Sequence, residues 1–224
     1  MTVVRWIAYE VGTAESGFGR SSDDNGLRMS TPLALQFVTS AATADQLPST
    51  GVPEVAVVGR SNVGKSSLIN ALSNHKGLAK VSKTPGRTQL INYFALGERA
   101  AVIDLPGYGF ANAPAKVRAA WQPMIEGYLL GRDELVMIMV LVDGEIGPTK
   151  LDVQMLEWLR SYGRPHTVVA TKHDKVKSSV RDKRKRDLAA KCDLEPRDVV
   201  WVSASKHVGI DRLRDLVRTW VEPS

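Results

Sequence analysis

Residues 54–73 read EVAVVGRSNVGKSSLINALS. The stretch opens on an apolar run, turns on two glycines and continues with apolar residues at helical spacing. Gly59 to Ser66 matches G-x-x-x-x-G-K-S, and a strand before it with a helix behind it is the context that makes such a run a phosphate-binding loop. Gly59 and Gly64 let the backbone wrap closely around phosphates. The amides of Arg60, Ser61, Asn62, Val63 and the helix N-terminus then point at the anion. Lys65 can reach the outer phosphates, and Ser66 offers a hydroxyl ligand to Mg²⁺. The plain alternative is a glycine turn with an accidental lysine; the flanking strand and helix argue against it.

Outward from this loop, the pattern of apolar strand, loop and longer helix repeats. Strands are predicted at Glu54–Val58, Leu90–Leu96, Ala100–Asp104, Leu135–Val142, Thr167–Thr171 and Val199–Val202. Helices are predicted at Lys65–Ser73, Ala115–Leu130, Lys150–Ser161, Val180–Lys191 and Ile210–Trp220, with Pro114 suited to the first turn of the second. Continuous apolar strands fit a mostly parallel sheet covered on both faces, and the short Gly97-Glu98-Arg99 connection predicts an antiparallel hairpin at one edge. The fold class is α/β, three-layered, with six strands. Residues 54–222 form this domain, 31–53 a lead-in, and 1–30 an extension whose Ser16–Gly26 part (SGFGRSSDDNG) is predicted to be mobile. Met29 opens a stretch that would also serve as a translation start.

Three further motifs follow in order. Asp104-Leu105-Pro106-Gly107 ends a strand; the Asp can hold Mg²⁺ through water and the Gly107 amide can donate to a γ-phosphate. Thr171-Lys172-His173-Asp174 ends another. The Asp174 carboxylate can accept both N1–H and the 2-amino group of guanine, an arrangement adenine cannot supply, while Lys172 can lie along the base and brace the phosphate loop. Val202-Ser203-Ala204 ends the last strand, where an amide can meet guanine O6. Each motif is weak alone and gains force from its order after the phosphate loop. The loop KGLAKVSKTPGRTQL, residues 76–90, has the place and polarity of a switch, with Thr88, rather than Thr84, completing Mg²⁺ coordination.

GRSNVGKSSLINAL, SKTPGRTQLINYF, DLPGYGFA, TKHD and VSA together closely resemble the EngB family, within the Era/TrmE-like translation-factor-class P-loop GTPases. The resemblance spans about Phe37 to Val221. It implies a guanine-nucleotide domain, with GTP or GDP contacted by Gly59–Ser66, by Gly86, Arg87, Thr88, Gln89 and Leu90, by Asp104–Gly107, Thr171–Asp174 and Val202–Ala204, and with Mg²⁺ on Ser66 and Thr88. It implies a role in assembly of the large ribosomal subunit, on ribosomal RNA and proteins, and in normal cell division and septation.

Hydrolysis needs an oriented water and charge stabilisation. Lys65, Mg²⁺ and loop amides supply the second, with Thr88 at the switch. For the first, Ras-like proteins use a Gln just after the D-x-x-G glycine; Tyr108 stands there and is no equivalent. Intrinsic turnover on the order of minutes is expected. Asn62 resembles the asparagine with which related GTPases bind K⁺ beside the phosphates; K⁺ there, or a group from the ribosomal partner, would complete the site. Arg60 and Arg87 are read as solvated or RNA-facing rather than catalytic.

The remaining chemistry-bearing residues have plain readings. His75, His166, His173 and His207 lack metal-ligand spacing. Cys192, the single cysteine, excludes an internal disulfide framework and fits a reducing, cytoplasmic setting. Trp121 and Trp158 read as packing residues, and Asp143 as a loop cap. The longest apolar run, Leu135–Val142, is far short of the roughly 20 residues of a membrane span, and the N-terminus lacks a secretory pattern. The alternative function is a nucleotide-gated binding protein of the division machinery with incidental hydrolysis; TKHD argues against a third, an ATPase or nucleoside kinase.

Charge places a partner surface. The chain carries 30 Lys and Arg against 24 Asp and Glu, a net of +6. Residues 172–191, KHDKVKSSVRDKRKRDLAAK, hold nine basic and three acidic residues, which is the whole excess. A solvated helix face is one reading, and a phosphate-contacting patch for ribosomal RNA the other.

Overall fold

The computed structural model describes residues 30–80, 90–108 and 115–222, and for residues 115–122 the backbone alone. Among these residues seven strands form one sheet: β1 (Leu35–Ala41), β2 (Glu54–Gly59), β3 (Ile91–Leu96), β4 (Ala100–Asp104), β5 (Leu135–Asp143), β6 (His166–Thr171) and β7 (Val199–Trp201). Their order is β1-β3-β4-β2-β5-β6-β7. β4, β2, β5, β6 and β7 pair in parallel. The β3–β4 hairpin is antiparallel, as the Gly97 turn requires. The sheet has one strand more than the six expected. The lead-in supplies it: β1 pairs antiparallel with β3, with an irregularity between Phe37 and Thr39. Its sequence, LQFVTSA, is mixed because only its two ends are buried, so it lacks the continuous apolar run of the other strands.

Among the described residues five α-helices cover the faces: α1 (Lys65–Ser73), α2 (Ala115–Gly131), α3 (Lys150–Ser161), α4 (Arg181–Lys191) and α5 (Ile210–Val221). β5 shows how the two layers are built. Alternate side chains of a strand point to opposite faces, so Ile138, Val140 and Val142 join the core under α2, α3 and α4. Met139 and Leu141 join the core under α1 and α5. Both sets are fully buried, and each such side chain contributes about 1.5–3 kcal/mol. Trp158 packs against the first core, in keeping with its reading as a packing residue. The Trp121 side chain lies outside the described residues.

Buried polar groups at the far end of the sheet fix the frame. Glu54 accepts from Tyr128 Oη at 2.6 Å and from Arg132 Nη2 at 2.7 Å. Arg214 donates to the last carbonyls of α1, Leu72 and Ala71, both at 2.9 Å, and to the Ser30 carbonyl at 3.0 Å. A groove at this end is lined by Pro32, Leu33, Gly97, Arg99, Trp220 and Glu222. Among the described residues no helix is long and apolar enough to cross a membrane.

Candidate functional site

The opposite, C-terminal end of the parallel strands gathers all four motifs. β2 lies between β4 and β5, so the loop after β2 opens where the chain departs to both sides, the usual ligand position in such sheets. Gly59 has no room for a side chain: a Cβ there would lie 2.9 Å from Val63 and 3.0 Å from Leu141. Asn62 turns with φ 64° and Gly64 with φ 114°. Asparagine is among the few non-glycine residues that accept this region. Gly64 is also the N-cap of α1 and supplies no side-chain cap. The first amides of that helix therefore remain free for an anion.

Lys65 and Asp104 are both buried beneath this loop. Burial pushes the Lys65 ammonium below its ordinary range, against the attraction of Asp104. Burial likewise pushes the Asp104 carboxyl up, against Lys65 and Asn92. Each is a charge short of compensation, which an anion at Lys65 and a cation at Asp104 would relieve. Asp104 Oδ1 is buried without a hydrogen-bond partner among the described residues. Its Oδ2 faces Asn92 Nδ2 at 3.5 Å, and Asn92 in turn accepts from Ser40 of β1 at 2.7 Å. An oxygen-lined site for Mg²⁺ fits these residues, since that ion takes one or two protein oxygens and completes its shell with phosphate and water. Among the described residues no cluster of three or more His, Cys, Asp or Glu could hold a metal unaided. Gly86, Arg87, Thr88 and Gln89 lie outside the described residues; Leu90 is exposed at the foot of β3.

The base-reading side is held by a second set of bonds. Thr171 Oγ1 donates to the Val63 carbonyl at 2.7 Å, tying β6 to the phosphate loop. This is the brace expected of Lys172. The Lys172 ammonium instead meets Asp143 Oδ2 at 2.6 Å. Asp143 is the loop cap expected of it, since Oδ1 accepts from the Glu145 amide at 2.9 Å, and it is also this partner of Lys172. Asp174 is exposed, and Ser203 Oγ donates to its Oδ1 at 2.6 Å. That bond, first among its causes, holds the Asp174 carboxyl below its usual range.

His173 joins the two loops from behind. Its amide donates to the Val202 carbonyl at 3.0 Å, and its ring meets Trp201 edge-on at 5.7 Å. Burial, then Arg181 and Lys185, push its imidazole toward the neutral form. The Val202 and Ser203 amides are spent on Ala170 and Val208. Of the three, only the Ala204 amide makes no hydrogen bond among the described residues.

Arg60, expected to be solvated or RNA-facing, is partly exposed, and its Nε lies 3.4 Å from Asp152 Oδ2 in α3. Tyr108 Oη donates to the same carboxylate at 2.9 Å. Sequence reading had no role for Asp152. The Thr149-x-x-Asp152 spacing marks it as a helix-capping acid, but its other partners are distant in the chain.

A strand-to-helix glycine loop with a buried lysine, an adjoining strand-end Asp and an exposed Asp fixed by Ser203, all at the C-terminal end of the parallel strands, define a P-loop GTPase. A family model described as 50S ribosome-binding GTPase matches residues 54–172. A probable GTP-binding protein EngB of Pelotomaculum thermopropionicum is 44% identical over 187 residues, 83% of this chain and 94% of that protein. The chain belongs to the EngB family of GTP-binding proteins. The relative from Desulforamulus reducens is 53% identical over 148 residues, 66% of this chain and 72% of its own length. The crystal structure of a probable GTP-binding protein engB aligns with a TM-score of 0.62 at 25% identity, covering 75% of this chain and 98% of that one.

Proposed function

We propose that this EngB-family GTPase is a slow GTP-hydrolysing switch that docks on large-subunit ribosomal precursors in the cytoplasm, and that cell division and septation depend on it. The carrying observation is the position of the basic excess. Lys175, Lys177, Lys183 and Arg186 are exposed on α4 and the turns leading into it. That helix follows directly on the Asp174 loop, so a polyanion bound there would lie beside the nucleotide. The matching family model's description as 50S ribosome-binding supports the same partner.

In this reading Asp174 selects guanine, with the Ala204 amide at its O6. The α1 N-terminus and loop amides take the inner phosphates, and Lys65 the outer ones. Gly107 donates to the γ-phosphate. Ser66 and Thr88 hold Mg²⁺, with Asp104 reaching it through water. When bound, Mg²⁺ supplies charge neutralisation between the phosphates. Exposed Asn62, at the crest of the loop, is the candidate holder of K⁺.

The test is cosedimentation with large ribosomal subunits in a GTP analogue and in GDP, for the parent and for a variant with Lys175, Lys177, Lys183 and Arg186 changed to Gln. Binding in the analogue only, with a salt slope that flattens in the variant, is expected. An unchanged slope overturns the docking face. Failure to bind in either nucleotide overturns the ribosomal reading in favour of a division partner.

A further inference from the structure

Tyr108 occupies the position after the D-x-x-G glycine, yet its phenol turns to α3. Its acceptor, Asp152, is 0% exposed. The other Asp152 oxygen accepts from the Thr149 amide and hydroxyl, both at 2.7 Å, and faces Arg60. One buried carboxylate thus gathers the phosphate loop, the residue after Gly107 and the start of α3. Burial and the Asp152 charge push the phenol far above its ordinary range, so it remains a donor.

The main chain closes the same contact. The Ser61 amide donates to the Tyr108 carbonyl at 3.1 Å, and the Tyr108 amide to the Gly59 carbonyl at 3.3 Å. A Cβ on Gly107 would lie 2.9 Å from Ser61 N and 3.0 Å from Lys65 Nζ. The Asp104–Gly107 end is therefore pressed onto two groups that a terminal phosphate would use. The Ser61 amide is spent on Tyr108, and the Lys65 ammonium abuts Gly107. A γ-phosphate entering between them has to lift this segment, and the Tyr108–Asp152 bond has to give. A nucleoside diphosphate makes no such demand.

We infer that Asp152, acting through Tyr108, is a positioning residue that clamps the Asp104–Gly107 segment onto the phosphate loop and so sets the preference between GDP and GTP. The inference rests on Gly107 as the γ-phosphate contact, the reading given above.

The experiment is fluorescence titration of the full chain with GDP and with a non-hydrolysable GTP analogue. Tyr108→Phe removes one hydrogen bond to a charged acceptor. The preference for GDP over the analogue is expected to fall about tenfold, with GDP affinity nearly unchanged. Asp152→Asn is expected to move the ratio the same way, and Tyr108→Phe carries the test alone if that variant does not fold. An unchanged ratio in Tyr108→Phe, or a parallel loss of both nucleotides, overturns the clamp. Gly107→Ala separates the two levels. Selective loss of the analogue there, beside an unchanged Tyr108→Phe, overturns the clamp alone. An analogue affinity that Gly107→Ala leaves unchanged overturns the γ-phosphate reading and the clamp with it.

Discussion

Thr171→Val probes the bond that ties the base-reading strand to the phosphate loop. Thr171 is 5% exposed, and valine matches its shape, so packing is preserved. What disappears is the hydroxyl that donates to the Val63 carbonyl at 2.7 Å and lies 3.3 Å from the Val142 carbonyl. Leaving a buried acceptor without its donor costs about 1–3 kcal/mol. For a domain of this size that lowers Tm by roughly 2–12 °C. The measurement is calorimetric unfolding of nucleotide-free protein, because bound nucleotide would itself raise the apparent stability. Val63 precedes the Gly64 cap of α1, so the displaced loop is expected to weaken GDP and GTP equally. Thr171→Ser should restore both stability and affinity. A Thr171→Val protein within about 0.5 kcal/mol of the parent, the spread of inert surface changes, would refute the brace.

Asp174→Asn should lower GTP affinity by on the order of a hundredfold and raise that for xanthine nucleotide; unchanged GTP affinity in an equilibrium titration counts against Asp174 as the base reader. Ser203→Ala removes the donor that keeps the Asp174 carboxyl low. Guanine binding needs the carboxylate, so it is lost as pH falls through that carboxyl's value, and the loss should begin at higher pH in the variant. Coincident pH profiles would exclude that role for Ser203. Replacing K⁺ with Na⁺ should slow single-turnover hydrolysis if Asn62 holds K⁺, and equal rates would remove the idea. The Cys192 thiol is buried and pushed up to about 11, burial being the main cause. At pH 8 its thiolate fraction is about a thousandth, so alkylation should be far slower than for a free thiol until the chain is unfolded.

Most of the fold was legible because its signals are local. The predicted helices Lys65–Ser73 and Lys150–Ser161 match the observed ones residue for residue, and the others agree within a residue at either end. Helix and strand periods and glycine turns are written in consecutive residues. β1 escaped because an edge strand buried only at its ends carries no apolar run. The site divides in the same way. Contiguous motifs announced the glycine loop after β2, Asp104 at the end of β4 and the Asp174 turn after β6. The bonds that orient them join residues far apart in the chain: Thr171 to Val63, Lys172 to Asp143, Tyr108 to Asp152. A lone acid in α3 gives no sequence signal of contact with the phosphate loop 92 positions earlier, and only packing brings Arg60 to it.

The Arg214 contact to Ser30 has a consequence for chain connectivity. Ser30 is fastened to α5, and Arg218 secures it again through its hydroxyl at 2.7 Å. Pro32 and Glu222 line one groove, so the first and last described residues lie on the same end of the molecule. Neighbouring ends of this kind tolerate being joined. A circular permutant linking residue 222 to residue 30, reopened at the exposed Gly97-Glu98-Arg99 turn, would keep every GTP motif in one uncut order of space while changing their order in the chain. For this molecule the sequence of elements along the polymer and the geometry that reads guanine are separable properties.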